Sequence, residues 1–554
     1  MAALIDRRTM RVWMYPFASL LGIAVTLLLF TFWIDGGGDL SVLDLFLRPN
    51  AGAAEATLTN AAQVVANILE IAITVVAIVA ELAANRYTHR VTELFVREPI
   101  NLIVMSFFVL TTVQCVFVPL GLNANASGVG FVPYWGIRVT LVMLAVSLLI
   151  LLPYFAYVFD FLSPVNIVQS IQEHTVRAIG SRRRLSVEQR KDEAIRGVEQ
   201  LADVALNAME NHDKGVAMAS LDALQTMALE YQAMRSKLGS AWFRLDGTLA
   251  HNPDFVSMSE QVHDEITERR IWFEMKVLRK YQTLYNAGLN RMRDINYVVA
   301  INTRHIGEEA IRLGHQQLFE LVIKFFNTYL RSTVNASDVR TGYNVLHQYR
   351  LLASEALERG DDAHALRMAE YFKYYGQLAF QARLPFILET VAHDLVSLTE
   401  RAFELKSPAL EDLVSILLEV DKESEGAVQE QSLRGVRKAQ VGAAAYFLAH
   451  DREDLARRVY EDMAGEPRDR LASIRDELLH VESREFWEVS DRGVNFDYLE
   501  PELKRELARF FRWFDGLRAV RPSTMPAALL TARPSMVEEP APAGPGFGLD
   551  PGQR

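Results

Sequence analysis

Apolar residues are distributed along this chain in two ways. Up to about residue 160 they form long runs with few charges, and from residue 186 onward they recur at steps of three and four. A run of about 20 mostly apolar residues spans a bilayer. Four stretches reach that length, 12–33, 61–84, 100–122 and 137–159, and they predict a four-helix transmembrane region within residues 1–162. Trp13, Tyr15, Trp33, Tyr134, Trp135, Tyr154 and Tyr157 fall near the ends of these stretches, where amphipathic rings settle at the membrane–water boundary. The steps of the second regime, as in VEQLADVALNAM and VSLTERAFELK, are those of amphipathic helices. They predict an almost wholly helical domain over 186–520, with one irregular insertion or short β-hairpin at about 240–260.

The helical part has a hidden register. Val299, Val345 and Val391 are 46 residues apart, and so are Ile306, Leu352 and Leu398, and Ala310, Ala356 and Ala402. Ile311, Leu357 and Phe403 follow the same interval. Each copy reads as a helix, a short polar turn and a second helix, with looser copies beginning at Val198 and Gly442. A period of about 40–47 residues with two helices per unit fits a HEAT- or armadillo-like α-solenoid. The fold class predicted is all-α: four transmembrane helices followed by a large helical domain, a solenoid of helix pairs, with an irregular helical bundle as the alternative.

One apolar stretch has a polar subset. Gln63, Asn67, Glu70, Thr74, Glu81 and Asn85 follow one another at steps of four, three, four, seven and four, which is one face of a helix. Glu81 lies near the membrane surface, but Glu70 falls about 15 Å along the helix from Asn60 and so near midplane. A carboxylate at that depth costs on the order of 3 kcal/mol. No Lys or Arg in the other stretches lies at that depth, so Glu70 must be protonated or face a polar cavity. Two readings stay open: an ion path lined by the stripe, and polar glue between helices or between subunits.

Basic residues set the orientation. Arg7, Arg8 and Arg11 precede the first stretch, Arg86, Arg90 and Arg97 lie between the second and third, and Arg177, Arg182, Arg183 and Arg184 follow the fourth. The opposite loops carry only Arg48 and Arg138. Both termini are therefore expected in the cytoplasm of a multi-pass inner-membrane protein. Ser163-Pro164 reads as a helix start, a capping hydroxyl followed by proline, and opens a juxtamembrane helix and basic flank over 163–185. Arg86, Arg90, Arg97, Arg177, Arg182, Arg183 and Arg184 are the residues that would face anionic lipid.

Composition narrows the function. The chain has 554 residues, a net charge of -11 and a mean hydropathy of +0.06. An acidic chain is poorly suited to nucleic acid. Cys115 is the single cysteine, so no internal disulfide forms. No nucleotide-binding, zinc-protease or nucleophile-elbow motif occurs, and no enzyme, cofactor or metal site is expected. His263-Asp264-Glu265 reads as a solvated helix face, with a metal site as the weaker alternative, and the aromatics of FFNTYLR and KYYGQLAF read as core, with a ligand groove as theirs. Residues 521–554 are rich in Pro, Ala and Gly and are expected to be disordered.

The stretch AITVVAIVAELAANRYTHRVTELFVREP (72–99), the third and fourth apolar stretches and VEQLADVALNAM together resemble a bacterial predicted membrane protein family of unknown function, domain-of-unknown-function family 2254. In that family the second segment runs into a polar stretch and an inner amphipathic helix ending near an Arg–acid pair; Asn85, Arg86, Thr88, His89, Phe95, Arg97 and Glu98 take those places here. The resemblance implies a four-segment inner-membrane protein and no particular activity. The function expected is a membrane-anchored scaffold or sensor whose cytoplasmic solenoid binds a protein partner, with homo-oligomerisation allowed. The alternative is an oligomeric channel or ion transporter that uses the polar stripe and has the cytoplasmic domain as its gate.

Overall fold

The computed structural model describes residues 18, 22, 23, 25, 26, 51–86, 99–123, 134–161, 163–181, 185–422, 430–485, 492, 493, 495–514, 516 and 517. The chain divides into two compact units, 1–416 and 417–554. Every regular element among the described residues is a helix, so the all-α class holds.

Three helices carry the membrane character: α1 (Ala51–Arg86), α2 (Pro99–Asn123) and α3 (Tyr134–Phe161). Their apolar windows are Leu58–Ile78, Ile100–Pro119 and Trp135–Val158, three candidate spans. In hydrocarbon every backbone N–H and C=O must be paired within the segment, which makes helix the only open choice for such runs. The fourth expected span, 12–33, lies outside the described residues except for residues 18, 22, 23, 25 and 26, which are helical and exposed. The three helices pack on one another. Leu58, Ala61, Val65, Ala72 and Val76 of α1 are buried with Val104, Phe108 and Cys115 of α2 and Ile137, Ile150 and Val158 of α3. Between α2 and α3, Ser147 donates to the Thr111 hydroxyl at 3.2 Å and the Tyr154 hydroxyl donates to Asn101. Pro153 sits inside α3, which continues through it.

Next comes α4 (Pro164–Gly180), with Ser163 as its N-cap residue and Pro164 in the first turn. The expected helix start is met, but the Ser163 hydroxyl makes no capping bond. The apolar face of α4, Ile167, Val168, Ile171 and Ile179, is buried against α5 (Val187–Glu210) and α6 (Lys214–Arg235). α5 approaches α4 at Gly197, where an added Cβ would lie 1.9 Å from the Thr175 hydroxyl. Ser186 and Gln189 form a reciprocal capping box at the start of α5.

The expected insertion is irregular and contains no strand. It consists of a 3₁₀ turn (Ser240–Phe243), a one-turn helix α7 (Gly247–Ala250) and the turns that follow, up to α8 (Glu260–Arg269). Then come α9 (Trp272–Arg291), α10 (Asp294–Arg312), α11 (Gln316–Asn335), α12 (Val339–Glu358), α13 (Asp362–Gln381) and α14 (Pro385–Glu404). Their contacts define two layers. α6, α10, α12 and α14 pack side by side in one, and α5, α9, α11 and α13 in the other. The helical domain is thus repeat-like.

The turns explain the register. Gly314, Ser337, Gly360, Arg383 and Lys406 have positive φ and stand 23 residues apart. After each, a backbone N–H closes on a carbonyl five residues back: His315 on Ala310, Asp338 on Thr333, Asp361 on Ala356, Leu384 on Ala379 and Ser407 on Ala402, at 2.8–3.2 Å. This is the Schellman closure of a helix C-terminus. The same closure follows His212 and Asp451, in the two looser copies. The 46-residue register is therefore two steps of 23, one for each layer.

α15 (Leu410–Glu419) runs across the boundary between the units. The second unit contains α16 (Glu430–Ala449), α17 (Glu453–Met463), α18 (Arg468–His480) and α19 (Pro501–Phe511). Arg437 is its polar centre: its guanidinium meets Asp421 at 3.0 Å, Glu466 at 3.0 Å and Asp462 at 2.5 Å. Residues 521–554 lie outside the described residues.

The insertion is held by one buried cation. Lys276 of α9 has no exposed side-chain surface, and its ammonium donates to Glu199 at 2.8 Å, to Asn252 at 2.7 Å and to Asp254. Burial pulls the Glu199 and Asp254 carboxyls upward, but bonds to Lys276 outweigh it and hold both below the ordinary range. Replacing Lys276 by Met leaves Asp254 with Lys280 at 3.0 Å and Glu199 with the amide of Asn252, so the loss falls at or below the about 3–5 kcal/mol of a fully broken buried pair. Thermal unfolding of Lys276→Met in detergent should show that loss at pH 7. Depressed carboxyl pKa values give stability that is present above the unfolded value and lost as pH falls through the folded value. The gap between wild type and variant should therefore close below about pH 4.

Candidate functional site

The polar stripe is positioned by what α1 buries. At 3.6 residues per turn each residue advances 100°. Leu58, Ala61, Val65, Ala72 and Val76 then cluster on one side, and Gln63, Asn67, Glu70, Thr74 and Glu81 centre about 170° from it. All five are exposed. Among the described residues none of Gln63, Asn67, Glu70 and Glu81 makes a side-chain hydrogen bond, and the Thr74 hydroxyl donates to the Glu70 carbonyl at 2.8 Å. The stripe thus does not join α1 to α2 or α3. Glu70 lies about 18 Å from the Leu58 end of the span and about 12 Å from the Ile78 end. It borders an open groove of about 360 Å³ with Ala66, Leu69, Ile73, Thr74 and Thr112 of α2. Asn85 belongs to the last turn of α1, and its side chain lies outside the description.

The basic flank is less well placed. Arg86 ends α1, and Arg90, Arg97, Arg182, Arg183 and Arg184 lie outside the described residues. Arg177 is exposed on α4 and pairs with Glu173 one turn away. The apolar face of α4 is turned to α5 and α6 and not to lipid.

Two clusters stand out in the helical array: the first has no counterpart among the residues expected from sequence, and the second joins FFNTYLR to KYYGQLAF, whose Tyr374 was expected in the core but is exposed. In the first, Glu274 of α9 is fully enclosed. Gln232 donates to its Oε1 at 2.6 Å, Arg235 stands 3.6 Å away, and Oε2 has no partner. Burial, only partly offset by Arg235, pushes Glu274 up to about 7. Burial, with Arg235 adding to it, pushes the neighbouring His315 down to about 4, and neither ring nitrogen of His315 has a hydrogen-bond partner. The sequence signal for Glu274 is an acid inside the apolar run IWFEMKVL.

The second cluster is open. Arg331 of α11 is exposed, donates to the Tyr374 hydroxyl at 3.0 Å, and lies 6.0 Å and 5.8 Å from the Tyr374 and Tyr375 rings. Tyr374 is itself 47% exposed. The other aromatics expected in the core, Phe325, Phe326, Tyr329, Tyr375 and Phe380, are buried. Arg331 and Tyr374 are 43 residues apart, one helical turn less than the 46-residue register, so the repeat itself brings them together. His263 of the expected solvated face bonds the Phe255 carbonyl at 2.9 Å, and no shared ligand geometry joins it to Asp264 and Glu265 among the described residues.

Comparison with known proteins agrees with the membrane part. Residues 9–197 match the model of a family described as a predicted membrane protein, DUF2254. This is the family named by the resemblance, but the match ends just before VEQLADVALNAM. No curated protein matches. A solved circular tandem repeat protein with novel repeat topology and enhanced subunit contact surfaces is similar at 16% identity and a TM-score of 0.28, covering 74% of this chain and 96% of its own.

The Glu274 cluster makes stability depend on pH with a sign opposite to that of the Lys276 cluster. A raised acid holds a proton when folded that the unfolded chain has released, so its contribution falls from about pH 4.5 to about pH 7 and then levels. At 1.36 kcal/mol per unit the span is on the order of 3 kcal/mol. His315 slopes the other way at the acid end, so the difference between wild type and Glu274→Gln isolates the acid. Thermal unfolding from pH 5 to pH 8 should show the variant gaining on wild type as pH rises.

Proposed function

We propose that this is a four-span inner-membrane protein with both termini in the cytoplasm, and that its helical array is a solenoid serving as a scaffold or sensor for a protein partner. The observation that carries this reading is the exposed Arg331–Tyr374 pair, backed by Tyr375, on the α11/α13 layer. Arg and Tyr dominate interface hot spots because each combines apolar area with directed hydrogen bonding. A repeat array places such pairs on a long continuous surface. The arginine-rich flanks support the orientation. The reading assigns no catalytic residue.

A photo-crosslinking residue in place of Tyr374, in the full-length protein in its own membrane, tests the reading. One protein should be captured reproducibly, and Arg331→Ala should cut the yield by about fivefold or more, the effect of losing roughly 1 kcal/mol at a hot spot. Capture of no recurring protein, or capture indifferent to Arg331, would sink it.

A second reading is favoured by the exposure of Glu70. As an oligomeric channel or transporter, the protein would gather copies of the stripe around a wet path for protons or cations. Liposomes holding wild type should then show a flux that Glu70→Gln abolishes. Equal flux from the two, or none from either, rejects that reading.

A further inference from the structure

The polar stripe has a finer spacing than a helix face requires. With Ala77, also exposed, between Thr74 and Glu81, a subset of the exposed positions of α1 runs 63, 67, 70, 74, 77 and 81, and Val64, Ala66, Ile71, Ile73 and Ile78 are exposed beside it. The steps alternate four, three, four, three, four. That is a heptad, with a period of 3.5, and such a seam closes only when a second helix wraps it with a left-handed supercoil. Asn67, Thr74 and Glu81 hold the a positions, and Gln63, Glu70 and Ala77 hold the d positions.

The chemistry of the seam selects its partner. Gln63, Asn67 and Glu70 lie within the span, exposed and without side-chain hydrogen-bond partners among the described residues, although Glu70 borders the groove shared with Thr112 of α2. Hydrocarbon offers them no hydrogen bonds. The stretch 12–33 contains no amide or carboxyl; its hydroxyls are those of Tyr15, Ser19, Thr26 and Thr31, and the Thr26 hydroxyl donates to the Gly22 carbonyl at 2.7 Å. A second copy of α1 is different. Copies of one protein insert with the same orientation, so the axis relating them is the membrane normal and each residue meets its own counterpart at equal depth. Asn and Gln each carry a donor and an acceptor and so satisfy their own copies. A Glu70 pair closes a hydrogen bond when one carboxyl is protonated. A buried asparagine at an a position is also the feature that fixes two strands in register.

We propose that α1 pairs with α1 of a second copy as a parallel, left-handed, two-stranded coiled coil through Gln63, Asn67, Glu70, Thr74, Ala77 and Glu81. The pairing is independent of the partner-binding reading, and it competes with the channel reading, because a two-stranded seam that pairs the stripe with itself leaves no wet path. It is tested in membranes by disulfide scanning of the full chain. The background is Cys115→Ala, and single cysteines replace Asn67, Glu70 and Thr74 on the seam and Ile71 and Ile73 beside it, which are 59% and 50% exposed. Oxidation should give dimer at the three seam positions at least about fivefold faster than at the two flanking ones, following the heptad. Cross-linking that is absent, or equal on and off the seam, overturns the pairing. Copy number supplies the second arm. Wild type in lipid nanodiscs should contain two copies, and Gln63→Leu with Asn67→Leu should weaken the dimer roughly tenfold or more, since interhelical bonds in lipid contribute about 0.6–1.7 kcal/mol each. A wild-type monomer, or an assembly of three or more, also overturns it.

Discussion

The regularity of the helical array rests on one backbone device. Each helix from α10 to α14 ends with a residue in the left-handed region, and the amide of the next residue bonds a carbonyl five residues earlier. That bond fixes where a helix stops, and a stop every 23 residues fixes how long each helix is. Equal lengths let alternate helices lie side by side in two layers without leaving a ragged edge. The carbonyl comes from alanine in four of the five turns, and Ala310, Ala356, Ala379 and Ala402 are fully buried. A small side chain at that point leaves room for the chain to reverse and for the next helix to close on the first. The left-handed residue itself varies between Gly, Ser, Arg and Lys. The closure is supported by burial of the flanking helices, which offsets the roughly 1–2 kcal/mol that a side chain costs in that conformation.

Much of this was legible in the sequence, and the limits have physical causes. The 46-residue register was visible in valines, leucines and alanines because one layer repeats its core positions almost unchanged. The 23-residue half-step was fainter: Val322 falls midway between Val299 and Val345 and Ala379 midway between Ala356 and Ala402, but in α11 and α13 the aromatics Tyr329 and Tyr375 stand where α10, α12 and α14 have Ile306, Leu352 and Leu398. The insertion was recognisable as irregular from its Gly, Asn and Pro content, but its anchor was hidden. Lys276 looks like any polar helix position until folding brings Glu199, Asn252 and Asp254 to it across long sequence separations. Glu274 was hidden similarly, although an acid between Phe273 and Met275 was a signal to be weighed. The capping role read into Ser163 was a local guess; Pro164 alone sets that start.

In the membrane part the sequence located the polar stripe, and the packing decided its direction. Small and branched residues at 58, 61, 65, 72 and 76 make a close-fitting face for α2 and α3, and the amides necessarily fall opposite. α2 and α3 meet their own polar needs, through Ser147 with Thr111 and Tyr154 with Asn101. Those four side chains are matched to one another and not to Glu70 or Asn67. Polarity in this region is divided into an internal share that is satisfied and an external share that is displayed.

The join between membrane and array gives that display a consequence. α3 ends at Phe161 and α4 begins at Pro164, so two residues separate a span from the first helix of the array. α4 is not a loose tether, because Ile167, Val168, Ile171 and Ile179 are clamped by α5 and α6, and Gly197 lets α5 approach without a gap. A connection that short transmits rotation or tilt of a span to the helix that follows it. Bringing two copies together along α1 would act on α3 through their shared packing, and from α3 the displacement would reach α4 first. Packed helices and one short link thus run from the span that carries Glu70 to the array that carries Arg331.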